Sequence, residues 1–387
     1  MSPRVFLHLG LPKTGTTYLQ DAVWLNKDLL GERGLLVPGR HRRRHLLASL
    51  DIRGDPRLVR RPGDVSAPWQ DLVEEILAWG GDALVSHEFF GGATVEQARR
   101  VLDSFPAAEV HVIVTVRAMV DLFLSRWQEY AKNGGEADID LYPKERAQHD
   151  PVGEWSWGSF DLAEILDRWG AVVPHERIHV LPMASGSADP QELWWRVLGV
   201  LGVDPAGLAA PEEAVNRSLG LVEIQLLRRV SPLLVAAGFG SAVDRGRWIR
   251  SYLGEGEVIP VSRERFRPGP DKLRDLQARG ERGRALLATG EYDVVGDLAL
   301  LEPREVAGFR HPSEVTDAEI AQVAAATIAN LTREVRDLTR ERNRLAQELA
   351  EVPEPTVAGV IVPGFVRRSV GKSMAGLRSI LGKERSA

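Results

Sequence analysis

A stretch near the start of the chain combines an apolar run, a glycine-bounded loop, a lysine and paired hydroxyls: Val5-Phe-Leu-His-Leu-Gly-Leu-Pro-Lys-Thr-Gly-Thr-Thr-Tyr-Leu-Gln20. The pattern predicts a buried strand, a tight loop and the start of a helix. Such a loop presents backbone N–H groups and a helix N-terminus to an anion. Lys13 adds a positive charge, and Thr16 and Thr17 add hydroxyl donors. The residues therefore predict a binding site for a phosphate-like group.

The loop departs from the P-loop of nucleoside triphosphatases in one respect. Gly10 and Gly15 have the separation of that motif, but a P-loop places Lys-Ser or Lys-Thr directly after the second glycine. Here Thr16 follows, and the lysine stands forward at Lys13, after Pro12. No carboxylate cluster follows the loop as a magnesium site would require, so the sequence predicts no metal dependence.

A second candidate anion site lies at the end of a later strand. Val110-His-Val-Ile-Val-Thr-Val-Arg117 ends on an arginine, and Ser125 follows within the next predicted helix. The guanidinium supplies a charged fork and the serine a hydroxyl donor, so together they can grip one phosphate. Taken alone, this spacing also fits a surface arginine and an unrelated helix serine.

Two titratable residues, His87 and Glu88, stand side by side where a third strand, Asp82-Ala-Leu-Val-Ser86, ends. Either could accept a proton from a substrate hydroxyl. Side chains alternate along an extended segment, so only one of the two is expected to face a bound ligand. A structural alternative is that Glu88 caps the helix near Thr94 or pairs with an arginine.

Together these three pieces resemble sulfotransferases that use PAPS (3'-phosphoadenosine 5'-phosphosulfate), in particular carbohydrate-type and bacterial members. The resemblance covers about residues 4–300 and is sharp only in the two phosphate motifs. It implies that the loop binds the 5'-phosphosulfate and that the later arginine and serine bind the 3'-phosphate. The implied donor-binding residues are Pro12, Lys13, Thr14, Gly15, Thr16, Thr17, Tyr18, Arg117 and Ser125.

The resemblance also implies a chemistry. The sulfuryl group would move in line to an acceptor hydroxyl, with catalysis mostly by positioning and charge stabilisation. Lys13 would neutralise charge on the oxygen between the sulfate and the leaving 5'-phosphate. The Ser-x-Glu-Phe-Phe context favours Glu88 as the base, with His87 as the alternative. The acceptor is expected to be a hydroxyl of a glycan, glycolipid or small metabolite.

One departure from the family concerns the late Arg-Lys-Gly motif, which helps to hold the 3'-phosphate in cytosolic eukaryotic members and is missing here. A substitute is expected among Arg217, Arg245, Arg247 and Arg250.

Two other functions stay open from the sequence. One is a small-molecule kinase on a P-loop-like fold, which would need ATP and magnesium. The other is a non-catalytic scaffold protein that keeps the nucleotide site.

The elements around these motifs alternate between strand and helix. Apolar, β-branched runs at 5–9, 83–86, 110–116 and 178–181 predict buried parallel strands. Helical patterns occur at about 14–27, 68–79, 94–104, 119–131, 160–169, 190–201, 219–237 and 270–288. The alternation predicts a three-layer, P-loop-like α/β fold, with ligands at the carboxyl ends of the strands.

The predicted sulfotransferase domain spans residues 1–312, and the chain changes character beyond it. A charged helix is predicted over 313–351, and it either packs on its own domain or joins a second copy as a homodimer. Its heptad-spaced apolar residues are Leu331, Val335, Leu338, Leu345 and Leu349. The tail 352–387 is basic and amphipathic, and it is expected either to be solvated or to contact an anionic membrane surface peripherally.

Composition excludes several classes of protein. With 387 residues and 44% hydrophobic residues, the chain can form one large α/β domain with additions. A net charge of -5 argues against nucleic-acid binding. The absence of cysteine excludes disulfides, thiol nucleophiles and cysteine-bound metals. No apolar run is long enough for a spanning helix or a signal peptide, so the protein is expected in the cytoplasm.

Two variable regions are candidates for recognition of the acceptor. The segment 40–61 is rich in arginine and would either bind an acidic acceptor or form a solvated basic surface. The segment 134–159 is predicted to form a loop over the site. Its Trp155 and Trp157 could stack on a sugar ring or fill a gap in the core.

Overall fold

Parallel strands form one sheet in the computed structural model of the chain. The structure describes residues 2–58, 67–143, 155–184, 190–211, 218–262, 264–303, 305–306 and 308–351. Within these residues the sheet has six strands: β1 (Arg4–His8), β2 (Leu35–Leu36), β3 (Asp82–Ser86), β4 (Glu109–Val116), β5 (Ile178–Pro182) and β6 (Asp293–Val294). Their order is β2-β3-β1-β4-β5-β6, and every pairing is parallel.

Strand β1 lies at the centre of the sheet, with β3 on one side and β4 on the other. Val5 is in register with Ala83 of β3 and with Val110 of β4. The chain first builds the β2–β3 side and then crosses to the β4–β6 side, so the order reverses next to β1. The loop after β1 therefore lies at the switch point where open α/β sheets bind their ligands.

Helices connect and cover the strands, and each helix that the sequence predicts in the α/β region is present. The α-helices are α1 (Thr16–Leu25), α2 (Lys27–Glu32), α3 (Arg43–Ile52), α4 (Pro68–Trp79), α5 (Val95–Asp103), α6 (Met119–Lys132), α7 (Leu162–Gly170), α8 (Pro190–Leu201), α9 (Leu221–Ala236), α10 (Ala242–Asp244), α11 (Pro270–Ala288) and α12 (Asp317–Glu351). A 3-10 turn spans Glu88–Gly92, and a π-helical segment spans Arg245–Glu255.

Both faces of the sheet are buried. Phe6 of β1 packs in one cluster with Leu19 of α1 and Trp194 of α8. Val5 and Leu7 point to the opposite face, since strand side chains alternate, and they are also buried. The near-continuous apolar sequence of these strands follows from this double cover, which confirms the predicted α/β fold.

The chain divides into two compact units, Met1–Thr327 and Ile328–Ala387. In the first unit, the start of α12 packs on α9 through Ile320, Val222 and Leu226. In the second unit, most of the heptad-spaced residues of α12 are exposed: Val335, Leu338, Leu345 and Leu349. Dimer formation through this helix stays a prediction, and the basic tail lies outside the described residues. Among the described helices, none is both long and apolar enough to cross a membrane.

Candidate functional site

The loop after β1 is fixed by backbone bonds that continue beyond the strand. Leu9 N–H donates to Ile113 O at 2.9 Å, and Thr115 N–H and the Gly10 carbonyl bond at 2.7 Å. Gly10 has φ +83°, and a Cβ on this residue would lie 2.8 Å from Glu88 Cβ. A glycine is needed here because of both the left-handed backbone and the close approach of Glu88.

The positive end of α1 faces the loop without any neutralising side chain of its own. Gly15, at φ +77°, is the N-cap residue, so no side chain caps the helix, and its first turn carries no acidic residue. The first N–H groups of a helix need acceptors and favour an anion. Thr16 is buried and Thr17 is exposed at this end, while Tyr18 packs against the core cluster.

Lys13 stands at the tip of the loop in a strained conformation. Its φ is +69°, and it has the only positive φ among the non-glycine residues that the structure describes. Strain of this kind costs about 1–3 kcal/mol and is commonly found at functional sites. The Lys13 ammonium lies 3.2 Å from Glu129 Oε2 on α6, so the loop directs this side chain toward α6.

Arg117 and Ser125, the second predicted anion site, are brought together. The Arg117 guanidinium donates to Ser125 Oγ at 2.6 Å and to Asp121 O at 2.5 Å. It also donates to the carbonyl of Lys13 at 3.3 Å. The strand end, the helix and the loop therefore converge, as the order of the strands requires.

Glu88 and His87 differ in what their side chains do. Glu88 is half-buried beside the loop and accepts a hydrogen bond from Gln20 Nε2 at 3.3 Å. His87 Nδ1 accepts from Phe89 N–H at 3.2 Å and so begins the 3-10 turn. The expectation that Glu88 caps the helix near Thr94 is wrong, because Thr94 itself caps α5.

The Glu88 carboxyl is stabilised in its charged form. Burial alone would raise its pKa, but the charge of His87 when protonated, its own backbone N–H, the charge of His8 when protonated and the Gln20 amide together lower the pKa below the ordinary value. At neutral pH this side chain is therefore a carboxylate that can accept a proton.

A buried chain of hydrogen bonds runs beneath the loop. Thr14 Oγ1 donates to Leu11 O at 2.5 Å, so Thr115 must donate to Thr14, at 2.6 Å. His8 Nε2 lies 3.4 Å from Thr115 Oγ1, and His8 Nδ1 lies 2.7 Å from Ser86 Oγ. Because the Thr115 hydrogen is already used, His8 donates through Nε2 and accepts from Ser86 through Nδ1. Thr14 was expected to bind the sulfuryl donor, but its hydroxyl lies in the core, and only its backbone can face a ligand.

The arginine-rich and tryptophan-containing segments contact the region in different ways. Arg53 and Arg57 lie 5.8 and 5.1 Å from the ring of Phe89, which directly follows Glu88 in the sequence.

The two tryptophans of the other segment contact protein side chains. Trp157 lies 3.8 Å beneath the Arg279 guanidinium and stacks on Phe123. Trp155 contacts Arg126 and Tyr130. These protein contacts fit the core-filling interpretation of both tryptophans, and residues 144–154 lie outside the described part.

The arginines that were expected to replace the missing Arg-Lys-Gly motif make one unexpected contact. Arg217 lies outside the described residues, whereas Arg245, Arg247 and Arg250 lie on the π-helical segment. Arg250 Nε is 2.8 Å from Glu129 Oε1. The motifs did not identify Glu129, although it lies four residues after Ser125 on α6 and so shares its helix face.

One group in the described residues has the side chains of a metal site. Asp138, Asp140 and His311 lie close together. Each already has a partner: Asp138 accepts from the Asp140 N–H, Asp140 from the Gly269 N–H, and His311 bonds Ser313. Hydrogen bonding within the protein accounts for this geometry.

Comparison with known proteins adds one similar structure. No protein-family model matches the sequence, and no curated protein matches it. The crystal structure of a sulfotransferase from Alicyclobacillus acidocaldarius aligns with 16% identity over 66% of this chain and 97% of that chain, with a TM-score of 0.35. At this TM-score, the functional assignment depends on the geometry of the site itself.

Proposed function

We propose that this protein is a sulfotransferase that moves the sulfuryl group of PAPS to a hydroxyl of a glycan, glycolipid or small metabolite. The supporting observation is that the two candidate anion sites adjoin. Arg117 donates both to Ser125 and to the Lys13 carbonyl, so ligands at the two sites are close neighbours. PAPS carries a 5'-phosphosulfate and a 3'-phosphate on one ribose, whereas ATP has no 3'-phosphate for the second site.

The donor side of the reaction uses the loop and α1. The N-terminal amides of α1, with the Thr16 and Thr17 hydroxyls, bind the 5'-phosphate. When the bond between sulfur and the phosphate oxygen breaks, that oxygen gains negative charge. The Lys13 ammonium stabilises this charge, which develops only in the transition state.

The acceptor side uses Glu88. The acceptor oxygen forms a bond to sulfur and passes its proton to the Glu88 carboxylate, so the products are a sulfate ester and PAP (3'-phosphoadenosine 5'-phosphate). The pKa of Glu88 lies below its ordinary value, so the side chain is a carboxylate at neutral pH and has the lone pair that this proton transfer needs. His87 Nδ1 is engaged by the Phe89 N–H, which favours Glu88 as the base.

An anionic group on the acceptor would fit the surroundings of Glu88. Arg53 and Arg57 both lie against the ring of Phe89. Asp55 pairs with Arg57 at 2.6 Å. The two guanidinium groups beside Phe89 support an acidic acceptor, because a guanidinium can bond a carboxylate or a sulfate.

A binding titration tests the donor. We expect PAP to bind tightly and ATP with magnesium to bind weakly. Arg117→Ala should weaken PAP binding about tenfold or more, because hydrogen bonds to charged groups contribute about 1.5–3 kcal/mol. The matched control is Arg177→Ala, since Arg177 precedes β5 at the amino end of the strands, whereas Arg117 follows β4 at their carboxyl end. Failure of the unaltered protein to bind PAP would refute the proposal, and tight ATP binding would favour a kinase.

Turnover tests the catalytic residues. Release of PAP from PAPS is measured with and without simple sugar alcohols as acceptors. Lys13→Ala should abolish turnover, and Glu88→Gln should lower it by about 10²–10⁴ while PAP still binds. Loss of turnover in His87→Gln but not in Glu88→Gln would assign the base to His87 instead. PAP binding without turnover by the unaltered protein would favour a scaffold.

A further inference from the structure

Glu129 joins two cations that come from distant parts of the chain. Its Oε2 lies 3.2 Å from the Lys13 ammonium, and its Oε1 lies 2.8 Å from Arg250 Nε. Asn133, one turn later on α6, also donates to Oε1 at 3.1 Å. A buried carboxylate with three donors is held in one orientation, so it fixes the relative positions of Lys13 and Arg250.

Arg250 reaches this position from the π-helical segment Arg245–Glu255. Ile249 and Leu253 are buried and anchor the segment, while the Arg250 side chain stays 45% exposed. Helical stretches of this kind are rare and often lie at functional sites. The guanidinium is therefore held in place but can still contact a ligand.

The charges around Glu129 do not cancel. The cluster contains three positive charges, on Lys13, Lys132 and Arg250, and two negative charges, on Glu129 and Glu255. Burial and the charges of Lys13 and Arg250 lower the pKa of Lys132, against the opposing effect of the two carboxylates. Burial would raise the pKa of Glu129, but Lys13 and Arg250 lower it. The cluster favours the approach of a further anion.

This cluster lies beside the proposed donor site. Ser125 and Glu129 occupy successive turns of the same face of α6. Arg117 bonds both Ser125 and the Lys13 carbonyl. An anion at the Lys13 ammonium would therefore also be within reach of Arg250.

We propose that Arg250 is a further binding residue of the donor site, which contacts the sulfuryl end of a 5'-phosphosulfate alongside Lys13, and that Glu129 positions both cations. The proposal rests on the proposed function, because it assumes that a phosphosulfate binds at the loop. By sequence, Arg250 is one of four candidate arginines for holding the 3'-phosphate. The geometry places its guanidinium instead beside Glu129, the carboxylate that also pairs with Lys13.

The test compares two ligands that differ only in the sulfuryl group. PAPS and PAP are titrated into the full chain and into Arg250→Ala, with Arg177→Ala as the control for loss of one arginine. We expect Arg250→Ala to weaken PAPS binding about tenfold and PAP binding less than threefold. Arg250→Lys should recover part of the loss, and the control should change neither affinity. Retained PAP binding shows that the variant is folded.

The outcomes separate the two proposals. An equal loss of PAP and PAPS affinity in Arg250→Ala would overturn the assignment to the sulfuryl end, and so would no loss of either. If Arg250→Ala does not fold, Arg250→Gln is used, because it removes the charge and keeps a hydrogen-bond donor. The loss of PAPS affinity relative to the loss of PAP affinity then decides. If the unaltered protein binds neither ligand, the proposed function fails first, and the role of Arg250 fails with it.

Discussion

Two buried histidines make the stability of this protein depend on pH. His8 and His45 are both buried at the carboxyl end of the central strands. Burial, which disfavours the charged ring, lowers the pKa of each from 6.5 to about 4. The Ser86 N–H donates to His45 Nδ1 at 3.1 Å, and His45 Nε2 lies 2.9 Å from the Pro38 carbonyl. The neutral ring therefore has one nitrogen for each of these bonds.

The size of the effect follows from the two pKa values. Above pH 6.5 the folded and unfolded chains both carry neutral histidines. Between 6.5 and about 4, the unfolded chain binds protons that the folded chain does not, so stability falls as the pH falls. At about 1.36 kcal/mol per pKa unit, acidification from pH 7.5 to 5.0 costs about 2 kcal/mol for each histidine.

The assay is urea unfolding at several pH values between 7.5 and 5.0, with His45→Gln as the variant. The variant should be less stable at pH 7.5, because the amide cannot fill the buried site of the imidazole ring while it bonds both the Ser86 N–H and the Pro38 carbonyl. It should also lose about 2 kcal/mol less than the unaltered protein on acidification. His41→Gln is the control, because His41 is exposed on the surface.

The difference between the two proteins in how the unfolding free energy changes with pH isolates His45 from every other titrating group. Carboxylates and the remaining histidines titrate in both proteins, so they cancel in the difference. A gap in unfolding free energy that stays the same from pH 7.5 to 5.0 would show that His45 does not stay neutral in the folded protein. The reasoning from burial would then be wrong.

Two further predictions concern the loop itself. Gly10→Ala should cost about 1–3 kcal/mol more in urea unfolding than Gly80→Ala. Both glycines have positive φ, but only a Cβ at Gly10 meets Glu88, at 2.8 Å, and overpacking costs about 1–3 kcal/mol. Thr14→Val should cost about 1–3 kcal/mol, since it leaves the buried Thr115 hydroxyl and a loop carbonyl without their partner. Amide hydrogen exchange should locate this loss in the loop, and equal protection in both proteins would contradict it.

The sequence predicted the central strands and the glycine-bounded loop after β1 because their signals are local. Apolar runs identify β1, β3, β4 and β5, and a glycine-bounded loop needs no distant partner to be seen. The edge strands Leu35–Leu36 and Asp293–Val294 were missed, since two residues carry no periodicity. Helix α3 was also missed, because it lies within the segment 40–61, which was interpreted as an arginine-rich recognition or surface region. Only the structure shows that His45, Leu47 and Leu50 form its buried side.

The candidate site could be predicted only in part for a related reason. Lys13, Arg117 and Ser125 belong to spaced motifs, whereas Glu129 acquires its role from Arg250, which lies 121 positions later in the chain. A glutamate in a helix is common, and nothing in the sequence marks this one. Contacts of this kind depend on the tertiary fold and not on local pattern.

The buried histidine His8 connects the two sides of the proposed reaction. It bonds Ser86, two residues before Glu88, and through Thr115 it also supports Thr14 beneath the phosphate loop. A movement of the loop must therefore strain this chain or move the strand end that carries Glu88. Hydrogen bonds in a buried polar network are strengthened by the low local dielectric, but a polar group that loses its partner there is costly for the same reason. The distance between Lys13 and Glu88 is thus set in part by the neutral side chains of this buried chain.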